Sequence, residues 1–259
     1  MKHILFVPVY NCENQISRLL GKIIKSKCFD FFNEILVIDN ISEDNTVQIT
    51  KDFIKEQKSK KILIFQNKNN YNLGGTHKVA FNYAIENDYD YISILHGDDQ
   101  GDINDLKEIL SKKIYVNYDC VLGSRFTRNS KLINYPKFRI FANYLINIAA
   151  SLVTFKSLTD LGSGINMFRV SYLNNKFYLN FPNDLTFNYC LIFYICASKC
   201  KFMYFPITWK EDDQLSNVKL FSHAIKWSAI LIKYVFKRKS LFNNKMLREK
   251  EYKFTQLKT

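Results

Sequence analysis

No stretch of this 259-residue chain reaches the roughly 18 to 20 uncharged apolar residues that a membrane-spanning helix needs. The nearest approach, residues 140–155, is uncharged between Arg139 and Lys156 but broken by Asn143, Asn147, Ser151 and Thr154, so a partly buried or interfacial helix is expected. Glycine is scarce, with eight residues, and none forms the Gly-x-Gly-x-x-Gly fingerprint of a dinucleotide-binding dehydrogenase. The six cysteines (Cys12, Cys28, Cys120, Cys190, Cys196, Cys200) include no C-x-x-C pair. Cys196 and Cys200 would share a helix face, but without a second pair they do not make a zinc site. With no secretory leader ahead of the first strand, they are expected to be free thiols in a reducing compartment. No internal repeat is present.

Acidic residues are outnumbered, 24 Asp and Glu against 37 Lys and Arg, for a net charge of +13. Much of the excess sits at one end: residues 237–259 hold eight Lys or Arg and two Glu. A basic tail can serve nucleic acid, an anionic membrane surface or solubility. Clustering at the tail leaves the acidic groups elsewhere uncovered, which argues against nucleic acid.

The length suits one α/β domain. His3–Val9 is an apolar run ending near Pro8, consistent with a buried strand. Ile16, Leu19, Leu20, Ile23 and Ile24 then recur at helical spacing, with Asn11 as the expected N-cap. Strands at Glu34–Ile38, Lys61–Phe65 and Tyr91–Leu95 alternate with helices near 44–56 and 75–86, the pattern of right-handed βαβ units in a mainly parallel sheet flanked by helices. A short helix near 103–110 and a strand at Asp119–Gly123 follow. The alternation then breaks into a long apolar helix near 138–155, a Gly-rich bend at 162–164, a helix near 184–198 and a strand at Phe202–Pro206.

The most informative stretch is the end of the fourth strand, where Leu95 gives way to His96-Gly97-Asp98-Asp99-Gln100-Gly101-Asp102. Side chains at the carboxyl ends of parallel strands enter the crevice where α/β folds bind ligands. Mg2+ and Mn2+ keep water or substrate phosphate in their shells, so one or two carboxylates suffice to dock a metal diphosphate. The alternative is an acidic turn that caps the next helix. Three further strand ends carry polar groups: Pro8-Val9-Tyr10-Asn11, Asp39-Asn40-Ile41-Ser42 and Gly123-Ser124-Arg125. Tyr10 can stack on a ring and Asp39 can accept bonds from a base or ribose. Arg125 can bind a phosphate bidentately or form a surface ion pair. Gly74 and Gly75 permit close backbone approach at a helix start, which would favour an anion, while His77 and Lys78 read as a solvated first turn.

In order along residues 3–220, these motifs resemble the inverting family 2 glycosyltransferases with the GT-A (Rossmann-like) fold. The resemblance is strongest to the branch of dolichyl-phosphate mannose synthase and the bacterial polyprenyl-phosphate glycosyltransferases. The carriers are Val7–Asn11, Val37–Thr46, Asn72–Gly75, Leu95–Gln100, Leu122–Arg125 and Asp160–Gly164. The resemblance implies a nucleoside-diphosphate sugar donor contacted by Pro8, Tyr10, Glu13, Asp39 and Asn40, with Gly74, Gln100 and Arg125 nearby. It implies Mg2+ or Mn2+ at Asp98, the second acid of the family's Asp-x-Asp motif, with His96 and Asp99 beside it. Three departures stand out: His96 replaces the first acid, Cys12 stands where many relatives have an acid, and Asn40 and Ile41 replace the common Asp and Gly.

Asp160 and Asp184 are the implied acceptor-side acids. A sugar-hydroxyl acceptor, as on a growing glycan, needs a carboxylate base, for which Asp184 is the choice. A polyprenyl-phosphate oxygen is already anionic and needs positioning and charge stabilisation instead. Residues 209–219 resemble the acceptor loop of the polyprenyl branch, with Ser216 and Lys219 either supplying phosphate contacts or lying in a plain exposed loop. From Val218 to Phe236, Phe221, Ala224, Ile225, Ser228, Leu231, Ile232 and Val235 form one face of a basic amphipathic helix, either interfacial or simply surface. The expected layout is a transferase domain over 1–219 and a helix with a basic tail over 220–259, peripheral at the cytoplasmic face of a membrane.

Overall fold

The computed structural model describes residues 1–212 and 220–259, with the side chains of 220–223 outside the description. The strands are β1 His3–Val9, β2 Glu34–Asp39, β3 Ile62–Asn67, β4 Tyr91–Leu95, β5 Cys120–Ser124, β6 Lys131–Ile133, β7 Ile165–Arg169, β8 Phe202–Pro206, β9 Thr208–Lys210 and β10 Phe254–Gln256. The helices are α1 Ile16–Lys25, α2 Thr46–Gln57, α3 Asn72–Glu86, α4 Lys107–Ser111, α5 Lys137–Thr154, α6 Val170–Leu173, α7 Phe187–Ala197, α8 Leu220–Phe236, α9 Arg238–Phe242 and α10 Lys245–Arg248.

Eight strands form one sheet in the order β10-β3-β2-β1-β4-β7-β5-β8, while β6 and β9 pair beside it. Strands β1 to β4 run parallel, β5 and β8 run parallel, and β7 and β10 run against their neighbours. The α/β class and the mainly parallel sheet agree with the sequence reading. Strand β1 is buried along its whole length, as expected of a central strand covered on both faces. Its alternate residues divide the core: Ile4 and Phe6 pack with α3 and α7, whereas Leu5, Val7 and Val9 pack with α1 and α2.

The second half holds the differences. Strand β7, which the sequence pattern does not predict, lies between β4 and β5 with Ile94 opposite Asn166 and Leu122 opposite the same residue. Asn11 does not cap α1. It turns at φ 52° and its Oδ1 accepts the Glu43 N–H at 2.9 Å, while α1 starts after Gln15 with no side-chain cap. Residues beyond α8 return to the sheet, where β10 pairs with β3.

Candidate active site

The carboxyl ends of β1, β2, β4 and β5 share one edge of the sheet, and because β7 runs the other way, the loop preceding it arrives there too. The β1 and β2 ends are sewn together. Asn11 N–H donates to Ser42 Oγ at 2.9 Å, Cys12 N–H to Thr46 Oγ1 at 2.7 Å, and Glu13 Oε2 accepts both Asn45 nitrogens at 3.0 and 3.1 Å. Asp39 is fully buried and accepts from Ile41 N–H at 3.1 Å, Ser42 N–H at 3.2 Å and Gln66 Nε2 at 2.9 Å. That cage holds Ile41 at φ 63°, a left-handed conformation that a β-branched residue rarely adopts.

Asn40 is a tie rather than a free contact. Its Oδ1 accepts from Asn67 Nδ2 at 2.9 Å and Tyr71 N–H at 2.8 Å, and its Nδ2 donates to Asn70 Oδ1 at 2.8 Å. Pro8 is buried and gives its carbonyl to Gly97 N–H at 3.0 Å, linking β1 to β4. Tyr10, 39% exposed, presents ring surface at this edge.

The acidic cluster after β4 splits in three directions. Asp98 is half-buried, and its Oδ1 accepts the Gln100 N–H at 3.2 Å. Asp99 turns at φ 58° toward α1, where Arg18 and Lys22 hold it, Lys22 Nζ at 2.8 Å from both oxygens. Asp102 accepts the Asn104 N–H at 2.9 Å and caps the next turn, so the capping alternative holds for this acid alone. Asp99 is thus committed to α1. Burial first, then the charges of Asp98, Asp44 and Asp39, push the Cys12 thiol up to about 12.

His96 is partly buried, unlike the fully buried strand it follows. Its N–H donates to Gly164 O at 3.1 Å, and a Cβ on Gly164 would stand 3.0 Å from its ring and 2.9 Å from Trp209. Its ring centroid lies 5.9 Å from that of His77. Burial, then the His77 and Arg125 charges, lowers the His96 pKa to about 3, leaving the ring neutral, with a buried Nε2 that has no hydrogen-bond partner among the described residues.

Arg125 and Asp160 face each other. Asp160 accepts Arg125 Nε at 2.8 Å, Nη2 at 2.9 Å and its backbone N–H at 3.0 Å, and also the Gly162 N–H at 3.1 Å. The guanidinium lies near the rings of Phe126 and Trp209, at 5.3 and 5.4 Å. The pair fixes the exit of β5 to the loop entering β7.

Gly74 serves close packing. A Cβ there would lie 2.5 Å from Phe187 Cβ and 2.8 Å from the Pro182 carbonyl, and the neighbouring Gly75 N–H donates to Asn183 O at 3.2 Å. A protein carbonyl thus takes the amide that was expected to meet an anion. His77 and Lys78 are buried, not solvated, because α3 lies between the sheet and α7. Lys78 Nζ donates to Phe181 O at 2.5 Å, Asn183 Oδ1 at 2.8 Å and Tyr252 OH at 3.0 Å. Lys78, Asn183 and Tyr252 hold the loop that leads into Asp184, and no local sequence signal marks them, since these bonds span 105 and 174 residues. Asp184 accepts Thr186 N–H at 3.0 Å and Lys226 Nζ at 2.6 Å. Partial burial opposes its charge, but the Lys226 and Thr186 bonds outweigh that and hold its carboxyl below the usual carboxylate range. Ser216 and Lys219 lie outside the described residues.

Residues 4–177 match the family described as Glycosyl transferase family 2. The chain belongs to that family. Similar curated proteins include the undecaprenyl-phosphate mannosyltransferase of Micrococcus luteus, 24% identical over 67% of this chain and 68% of the relative. Another is the undecaprenyl-phosphate 4-deoxy-4-formamido-L-arabinose transferase of Pseudomonas fluorescens, 25% identical over 64% of this chain and 46% of the relative. Among solved structures, S. aureus TarS with UDP-GlcNAc superposes with a TM-score of 0.59 at 18% identity, covering 91% of this chain and 68% of that one. Glucosyl-3-phosphoglycerate synthase from Mycobacterium tuberculosis, with Mn2+, UDP and glucosyl-3-phosphoglycerate, gives 0.56 at 12% identity, covering 92% and 79%.

The fold of this family 2 glycosyltransferase is therefore GT-A. Among the described residues no three His, Cys, Asp or Glu side chains converge as a closed metal site. An ion of the magnesium type would need only one or two protein ligands, with water and substrate phosphate completing its shell. Asp98 is the half-buried carboxylate at this edge that could offer oxygen to such an ion, whereas the His96 Nε2 is buried.

Proposed function

We propose that this family 2 glycosyltransferase transfers a sugar, with inversion, from a nucleoside-diphosphate donor to a polyprenyl-phosphate acceptor, assisted by Mg2+ or Mn2+. The observation that carries the reading is the meeting of four strand ends at one sheet edge, with the half-exposed Tyr10 ring and the Asp98 carboxylate among them. Tyr10 stacks on the nucleobase, and the loops braced by Glu13 and Asp39 seat the ribose. Asp98, with His96 near it in the chain, would hold the cation. A bound cation would neutralise charge on the departing nucleoside diphosphate. Arg125, through Asp160, positions the loop that backs His96.

Two relatives carry undecaprenyl phosphate in their names, which supports a lipid-phosphate acceptor. The state of Asp184 supports it as well. A carboxylate held below its usual range by Lys226 and Thr186 is a weak proton acceptor, and an anionic phosphate oxygen needs no base. The reading places the enzyme at the cytoplasmic face of a membrane, since its acceptor is a lipid. A panel of nucleoside-diphosphate sugars, assayed for nucleoside diphosphate release with and without polyprenyl phosphate, tests it. Release that requires the lipid and is lost with chelator or with Asp98→Asn is expected. Equal activity on soluble glycans without lipid would overturn the acceptor.

A further inference from the structure

Helix α5 is amphipathic in the reverse sense to an ordinary surface helix. Its core-facing positions include Asn147, Ala150 and Thr154, all buried. Its large apolar residues point outward: Phe138, Phe141, Leu145, Ile148 and Leu152 are 52–70% exposed, and Phe155 just after the helix is 92% exposed. The spacing of three and four residues keeps them on one stripe. The neighbouring α8 shows the same habit. Ile230 and Tyr234 pack into the core, while Ile225, Ile232 and Phe236 are 57–78% exposed. This corrects the face expected from sequence, since Leu231 packs inward as well. Monomeric proteins rarely leave so continuous an apolar stripe bare.

The charge around the stripe selects its partner. Residues 137–156 and 220–248 together hold ten Lys or Arg and no Asp or Glu. A second copy docked on this face would bring like charges together, whereas an anionic bilayer meets both the cations and the apolar stripe. No helix among the described residues is long and apolar enough to cross a membrane, so the contact is interfacial. Lys226 of α8 also reaches Asp184, so the surface is continuous with the acceptor side of the candidate active site.

We propose that α5, with α8 beside it, lies in the headgroup layer of an anionic membrane and is the chain's principal docking surface. The inference rests on exposure and charge and does not require the lipid-acceptor reading, because it is read without donor or acceptor. The full chain is sedimented with phosphatidylcholine vesicles containing or lacking phosphatidylglycerol. Binding to the anionic vesicles alone is expected. The variant Phe141→Ser/Leu145→Ser/Leu152→Ser, whose changes are exposed and leave the core intact, should weaken it by about tenfold or more. Lys233→Glu/Lys237→Glu should weaken it too. Wild-type failure to bind, or full binding by the α5 variant, would overturn the proposal. So would a dimer in solution that the α5 variant abolishes, which would assign the stripe to a second copy.

Discussion

Arg125 grips Asp160 through two parallel bonds, Nε to Oδ2 at 2.8 Å and Nη2 to Oδ1 at 2.9 Å, with the two side chains 13% and 1% exposed. Removing one partner strands the other charge in the interior, so Asp160→Asn is expected to cost about 3–5 kcal/mol. Replacing both, as Arg125→Met/Asp160→Leu, should cost less than the two single losses combined. Denaturant unfolding of the singles and the double checks this, and strict additivity would contradict it.

Gly74 and Gly21 both lie in helices but in opposite surroundings. A Cβ on Gly74 would collide with Phe187 and with the Pro182 and Asn183 carbonyls, while one on Gly21 meets nothing within 4 Å. Gly74→Ala should therefore destabilise by about 1–3 kcal/mol and lower transferase activity, because the loop entering Asp184 must shift. Gly21→Ala should stabilise by up to about 1 kcal/mol through helix propensity alone. Thermal melts of the two variants should move in opposite directions.

The legible parts of the fold were those written in local periodicity. The apolar runs of β1, β2 and β4 and the stripe of α1 need only neighbouring residues to be recognised. Strand β7 needs more, because Ile-Asn-Met-Phe-Arg is short and mixed and becomes a strand only by pairing with β4 and β5. The site divides in the same way. The place of Asp98 after an apolar run was readable as a strand end, but the ion pairs of the nearby acids were not. Arg125 meets Asp160 across 35 residues, Lys226 meets Asp184 across 42, and Asp99 meets Lys22 across 77. One sequence does not encode such pairings in its spacing. Helix α5 was legible as a helix, yet its inverted face appears only once the core has chosen Asn147 and Ala150.

Ile41 occupies a backbone position at φ 63° that suits glycine, the residue common at this point in the resembling family. A left-handed conformation costs an L-residue roughly 1–2 kcal/mol, and β-branching adds crowding. Ile41→Gly should raise stability by about 1 kcal/mol, seen as a melting temperature higher by roughly 2–4 °C. An unchanged or lower melting temperature would show that the half-buried Ile41 side chain contributes more than its strain removes.

His3 makes stability depend on acid. Its ring is 3% exposed, stands 5.1 Å from the Phe32 ring, and meets Ser93 Oγ through Nε2 at 2.9 Å. Burial, opposed only in part by Asp90, lowers its pKa from 6.5 to about 3. Between those values the unfolded chain binds a proton that the folded chain does not, so stability falls as pH drops below 6.5 and is fully present above it. From about pH 7 to pH 5 this group alone should remove about 2 kcal/mol. His3→Gln keeps a polar partner for Ser93 without a titrating ring, so its unfolding free energy should change less over that interval than that of the wild type. Parallel slopes for the two proteins would assign the acid sensitivity to other groups.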